Sequence, residues 1–233
     1  MRVLIAGAAG TIGTVLTKGL KDRHHVRGLD LRPMPLLEDT VVGSITDWDT
    51  VSKATQGMDA VIHLTTLGYE FEQAMGSITG SYNVFESGRL NGVKAIAFAS
   101  RAGLFPGSRI PKTIQRTADT LWSPDSFYTI SKVVGEGFGD MYASRYGISV
   151  DSVRIGGIDP VEPETPNHPH RLTHGDCVRV FEAAINHRKG THERSFGVSD
   201  GGNWQLYDME HGRKAIGYHP QSVAVVPPDK IGK

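Results

Sequence analysis

Apolar residues along this chain fall into short runs of strand length, separated by stretches in which they recur at helical spacing. The first run is Val3-Leu4-Ile5-Ala6; beyond a group of glycines, Ile12, Val15, Leu16 and Leu20 then repeat at three- and four-residue intervals. A run that is apolar at consecutive positions and bounded by glycine predicts a strand buried on both faces, as in a parallel sheet. The alternation continues. Val26–Leu29, Thr40–Val42, Asp59–Leu64, Val93–Ala99, Val150–Ile155 and Ser195–Val198 have strand character. Between them, helices are predicted after an N-cap at Asp47, from Phe71, beyond Pro124, over Asp176–His187 and over Leu206–Ile216, the last ending at Gly217. Phe71, Met75, Ile78, Tyr82 and Phe85 form one stripe, which either packs on the sheet or is shared with a second subunit. Gly103–Pro124 and the Pro- and acid-rich Gly156–Arg171 read as loops, the second on the substrate side, and the tail from Pro227 as frayed.

The glycines give this pattern a chemical meaning. In Gly7-Ala8-Ala9-Gly10-Thr11-Ile12-Gly13, Gly7 permits a tight turn out of the first strand. Gly10 lets backbone approach a diphosphate, and Gly13 lets the helix pack closely on the sheet. The N–H groups and partial positive charge of the helix start favour an anion there. Asp30 ends the second strand about 20 residues on, where a carboxylate bonds the ribose hydroxyls of an adenine dinucleotide. The fold class expected is therefore α/β, a Rossmann-type doubly wound parallel sheet with a small C-terminal substrate-binding portion. Residues 1–155 form the dinucleotide-binding domain and 156–233 the substrate-side portion, with 174–200 partly returning to the core. Asp30 favours NAD; Arg32, two residues on, keeps NADP as the other candidate.

Composition narrows the picture. The chain has 233 residues, 39% hydrophobic and 21% charged, which bounds it to one domain or one domain with an appendage. A formal net charge of zero carries no nucleic-acid footprint. No apolar stretch reaches the length of a membrane span, and a strand running straight into glycines is not the pattern of a secretory leader. The lone Cys177 excludes an internal disulfide framework and agrees with a reducing cytoplasm; its helical setting reads as a buried structural thiol. His168, His170 and His174 straddle Pro169 and share no helix face, so no metal site is expected, and His174 reads as a helix-start residue.

Tyr128 and Lys132 stand four residues apart in the predicted helix beyond Pro124, on one face and one turn from each other. A free phenol titrates near a pKa of ~10, and a neighbouring ammonium and an oxidised nicotinamide favour its ionised form. Together with the glycine turn, Asp30, His63-Leu64, Phe98-Ala99-Ser100, Tyr128-Thr129-Ile130-Ser131-Lys132 and Val153-Arg154-Ile155-Gly156, this pair resembles the extended short-chain dehydrogenase/reductases of the NAD-dependent epimerase/dehydratase type. Phe196-Gly197-Val198-Ser199-Asp200 and Gly217-Tyr218-His219-Pro220 make the chain most similar to the branch of uronate dehydrogenases and archaeal NAD-dependent glucose-6-phosphate dehydrogenases.

The resemblance implies an NAD(P)-dependent oxidoreductase acting on a hydroxyl or carbonyl of a sugar or sugar-acid-like small molecule. It implies Tyr128 as proton acceptor, with Lys132 binding ribose and lowering the phenol pKa, and Ser100 as the remaining catalytic serine. Cofactor contacts carry over onto Gly7, Gly10, Thr11, Ile12, Gly13, Asp30, Leu64, Thr65, Lys132 and Ile155. It also implies a homodimer paired through the helices containing Phe71–Phe85 and Tyr128–Tyr142. The chain departs from the branch pattern where Arg101 replaces the second serine, Ala102-Gly103 an Asn-His pair, Ser77 an asparagine and Ser44 an acidic residue. These departures count against uronate as the substrate. Arg101 and Arg171 are the expected anchors for an anionic substrate group, with Ser100 and Arg101 both candidates for the place beside Tyr128. An epimerase or dehydratase, and a dinucleotide-binding sensor impaired by loss of the serine, are the alternatives.

Overall fold

Consecutive residues of a strand face opposite sides of its sheet, and here both sides are apolar. The structure is a computed structural model that describes residues 1–105, 110–162 and 165–232. Its first strand, β1 (Arg2–Ala6), sends Val3 and Ile5 into one core and Leu4 and Ala6 into the other, all fully buried. β2 (His25–Asp30), β3 (Asp39–Val42), β4 (Ala60–His63), β5 (Ala95–Arg101), β6 (Ser149–Ile155) and β7 (His192–Gly197) follow. Among the described residues they form one seven-stranded sheet in the order β3-β2-β1-β4-β5-β6-β7, parallel throughout.

The helices are α1 (Thr11–Leu20), α2 (Trp48–Thr55), α3 (Phe71–Leu90), α4 (Phe127–Tyr146), α5 (His174–Asn186) and α6 (Glu210–Ile216). Leu16 and Leu20 of α1 and Cys177, Val180 and Phe181 of α5 fill the core on one face. Val51 of α2, Val84 and Phe85 of α3 and Tyr142 of α4 fill the other. The strand order reverses direction between β1 and β4, so a crevice opens above their carboxyl ends. Every candidate chemical residue on a strand lies near that edge. Both α5 and β7 belong to this sheet and its layers, within the 174–200 stretch.

Capping follows the local sequence. Asp47 accepts from the Asp49 N–H to start α2, Ser126 from Thr129 to start α4 and Thr173 from Asp176 to start α5, while Gly147 ends α4 in the left-handed region.

Three expectations change. The Phe71–Phe85 stripe does not pack on the sheet: Phe71, Met75 and Tyr82 are exposed and only Phe85 is fully buried. The buried face of α3 is instead the small-residue one, with Ala74, Ser77, Gly80 and Ser81, which lets the helix come close to its neighbours; a Cβ on Gly80 would lie 2.2 Å from Ile45. The last helix begins at Glu210 rather than Leu206, because Leu206–Asp208 is drawn into backbone hydrogen bonds with Arg116. The tail from Pro227 forms a turn of 3-10 helix over Pro228–Lys230, behind a buried Val226. Residues 106–109 of the first expected loop, 163–164 of the second and 233 lie outside the described residues. Among the described residues no helix is long and apolar enough to cross a membrane.

Candidate active site

The glycine turn is shaped by close contacts that exclude side chains. Gly7 has φ +96°, and a Cβ on Gly13 would stand 2.2 Å from the Gly7 carbonyl oxygen and 2.6 Å from Ala8 Cα. Gly10 caps α1 in extended conformation with no side chain over the helix start. Asp30 braces this loop: its carboxylate accepts from the Ala9 N–H at 3.0 Å and from the Arg32 N–H at 3.1 Å. The Arg32 guanidinium folds back to donate to the Ala9 carbonyl. Gly7, Gly10, Asp30, Leu64 and Thr65 border a cavity of about 250 Å³ over the β1/β4 crevice.

Residues present here fit an adenine dinucleotide. Thr65 Oγ1 is buried without a hydrogen-bond partner and lies against the Gly7 turn, 3.3 Å from where a Cβ would be. An orphaned hydroxyl beside a side-chain-free turn and an open helix N-terminus is a donor set suited to phosphate oxygens. Thr11, at the first position of α1, is exposed and borders a different groove, toward the start of α5. Gly13 lies behind the cradle, where it sets the distance between helix and turn.

Leu64 also borders a second cavity, of about 320 Å³, together with Ile12, Arg101, Tyr128, Lys132 and Ile155. Tyr128, Lys132 and Glu136 occupy successive four-residue steps along one face of α4. The Lys132 ammonium is buried, 5.2 Å from the Phe98 ring centroid and 5.6 Å from that of Tyr128. Burial lowers its pKa to about 8. His63, hydrogen-bonded to Ser81, is held neutral by burial and by Lys132, its pKa lowered to about 3. Burial of the Tyr128 ring raises its pKa above the ordinary value, opposed by the positive charge of Arg101. Two cations thus flank the phenol, Arg101 and Lys132, their charged ends 5.7 and 5.6 Å from its ring centroid. Arg101 places its guanidinium carbon 5.7 Å from the Tyr128 ring centroid and donates to Thr129 Oγ1 at 2.9 Å.

Ser100 borders the same cavity as Arg101, Tyr128 and Lys132. Its hydroxyl donates to Glu136 Oε1 at 2.7 Å, and Glu136 also accepts two hydrogen bonds from the buried guanidinium of Arg154. Glu136 lies eight residues past Tyr128, roughly 12 Å along the helix axis. The serine thus ties β5 to α4 while lining the cavity, and the Arg101 guanidinium stands beside the phenol ring. Arg171, the other expected anchor, is half-exposed and paired with Asp159 at 2.8 Å; it does not border the inner cavity. His170 does, and the sequence marked it only as one of three histidines unsuited to a metal. Its one available signal was its position beside Arg171. Cys177 is fully buried, and burial pushes its thiol up.

A parallel doubly wound sheet with a glycine cradle at its switch point and a Tyr-Lys pair one helical turn apart defines a dinucleotide-binding protein of the short-chain dehydrogenase type. The chain belongs to the NAD dependent epimerase/dehydratase family, which matches residues 3–159. It is 33% identical over 207 residues to a uronate dehydrogenase of Pseudomonas syringae pv. tomato, covering 85% of this chain and 74% of that one. It is 28% identical over 246 residues to an L-arabinose 1-dehydrogenase (NAD(P)(+)) of Haloferax volcanii, covering 94% and 96%. A crystal structure of uronate dehydrogenase from Agrobacterium tumefaciens, in a variant complexed with NAD, superposes with a TM-score of 0.84 at 28% identity, covering 96% and 85%.

Proposed function

We propose that this protein is an NAD-dependent dehydrogenase that oxidises a hydroxyl of a monosaccharide or sugar acid. The observation that carries the reading is the Tyr128–Lys132 pair bordering a cavity that shares Leu64 with the glycine cradle. The relatives named above act on uronates and on L-arabinose, which supports a small carbohydrate.

Gly7, Gly10, the N–H groups at the start of α1 and Thr65 would hold the diphosphate, and Asp30 the adenosine ribose. Its carboxylate at that edge favours NAD. Lys132 would hold the second ribose, a partner that offsets the burial of its charge. The bound nicotinamide supplies the hydride acceptor. Tyr128 takes the proton of the substrate hydroxyl, and Arg101 keeps the phenolate accessible by its charge. The half-exposed Arg101 guanidinium also suits a carboxylate or phosphate on the substrate, with Asp125 at 3.7 Å balancing it only weakly. A cavity of about 320 Å³ shared with the nicotinamide end leaves room for a monosaccharide rather than a nucleotide sugar, which supports a dehydrogenase over an epimerase. The exposed Phe71, Met75 and Tyr82 of α3, beside exposed Phe127 and Ile130 of α4, support pairing of two subunits through these helices.

The reading is tested by titrating NAD and NADP calorimetrically and then following NADH release with uronates, L-arabinose and glucose 6-phosphate. Tight NAD binding and NADH release with one of these is expected. Absence of binding to either dinucleotide would overturn it.

A further inference from the structure

The loss of the second serine leaves the reacting oxygen with one fewer donor, and another residue lining the same cavity offers a replacement. His170 borders that cavity with Tyr128 and Arg101. Its backbone is fixed at both ends: the N–H donates to His168 Nδ1 at 3.0 Å, and the carbonyl accepts from the Gly157 N–H at 2.7 Å. Gly156 packs so tightly on that carbonyl that a Cβ there would stand 2.1 Å from its oxygen. The ring is fixed as well. His170 Nδ1 lies 2.5 Å from the hydroxyl of Tyr207, which is itself wedged against Phe196 with ring centroids 4.7 Å apart. Nε2 has no protein partner among the described residues.

We propose that His170 is a further catalytic residue: with Nδ1 accepting from the Tyr207 hydroxyl, it carries its proton on Nε2 and donates it as a hydrogen bond to the substrate oxygen that Tyr128 deprotonates. This rests on the dehydrogenase reading above. The step balances without a proton leaving His170. The substrate O–H proton passes to the Tyr128 phenolate, the C–H bond breaks with its electron pair going to the nicotinamide, and the C–O bond becomes a carbonyl. His170 steadies the charge on that oxygen, and Tyr207 is its positioning residue.

The protonation states agree with this geometry. The His170 pKa is lowered to about 4 by burial and by the charges of His168, Arg101 and Arg171, so the ring is neutral at physiological pH. Burial pushes the Tyr207 phenol up, against the opposing charges of Arg116 and Arg101, so it keeps the proton it donates. A neutral imidazole with one nitrogen accepting a hydrogen bond presents a donor at the other.

The test uses the full chain and three substitutions with distinct reach. In His170→Gln the side-chain amide nitrogen falls where Nε2 was; in His170→Asn it falls where Nδ1 was; His170→Phe has no donor. With NAD and the carbohydrate that the wild type oxidises fastest, Asn and Phe variants are expected to lose about 10²–10³ in kcat with KM little changed, by analogy with an oxyanion donor. Gln is expected to stay within about 10-fold of wild type, and all three to bind NAD as the wild type does. Asn matching Gln, or Phe matching wild type, overturns the proposal. A second measurement needs no variant and no turnover: ¹⁵N spectra of the wild type should show His170 protonated on Nε2, and Tyr207→Phe should redistribute the proton. An Nδ1–H ring in the wild type overturns the proposal even if dehydrogenase activity is found. Conversely, absence of turnover on every carbohydrate would sink the functional reading, while the tautomer spectrum would still decide whether the cavity wall presents a donor.

Discussion

Lys132→Met separates stability from catalysis at one position. The ammonium is buried, 4% exposed, against the Phe98 ring, and its pKa falls from 10.5 to about 8 because burial penalises the charged form. That fall corresponds to about 3 kcal/mol carried by the folded protein at neutral pH. Methionine keeps a similar length and apolar contact with no charge, so urea denaturation at pH 7 should show the variant more stable, by up to about 3 kcal/mol. The pH dependence fixes the sign. Below pH 8 lysine is protonated in both folded and unfolded chains and the penalty is complete. As pH rises from about 8 to 10.5 the folded chain loses its proton first, so wild-type stability rises toward that of the variant. The difference between the two proteins should therefore shrink across that interval, which cancels titrations common to both. The variant should also lose turnover and gain less melting temperature from NADH than the wild type does. A less stable variant at pH 7, or a difference independent of pH up to 10.5, would refute the reasoning.

Gly13→Ala should abolish NAD binding in calorimetry and lower the melting temperature: the helix preference of alanine, ~1 kcal/mol, is outweighed by overpacking against backbone. Ser100→Ala should cost about 1.5–3 kcal/mol in urea denaturation, as a hydrogen bond to a charged group, and leave kcat within a few-fold; a hundredfold loss of kcat would return the serine to the reaction. Arg101→Ala should raise KM for uronates or sugar phosphates while leaving neutral aldoses alike, and should move the ascending limb attributed to Tyr128 to higher pH, because a charge that favours the phenolate is gone. Met75→Glu, on the exposed stripe of α3, should turn a dimer into a monomer in sedimentation velocity; a wild type that already sediments as a monomer would refute pairing through this face.

Strand and helix order, the glycine turn, Asp30 and the Tyr128–Lys132 pair were legible in the chain because each depends on near neighbours: periodicity over one element, backbone freedom at a few glycines, one turn of helix. The direction of a side chain that has partners from distant elements was not. Ser100 goes to Glu136, 36 positions away, and Arg171 to Asp159, while Arg101 is left beside the phenol. The stripe of α3 shows the same limit, since helical spacing finds an apolar face but cannot say whether a sheet or another molecule covers it. Nor does any local pattern announce that His170, on the cavity wall, meets Tyr207, 37 positions away. Local rules set the elements and the glycine turn; competition among buried polar groups for the partners that packing brings within reach decided how the side chains around the inner cavity are engaged.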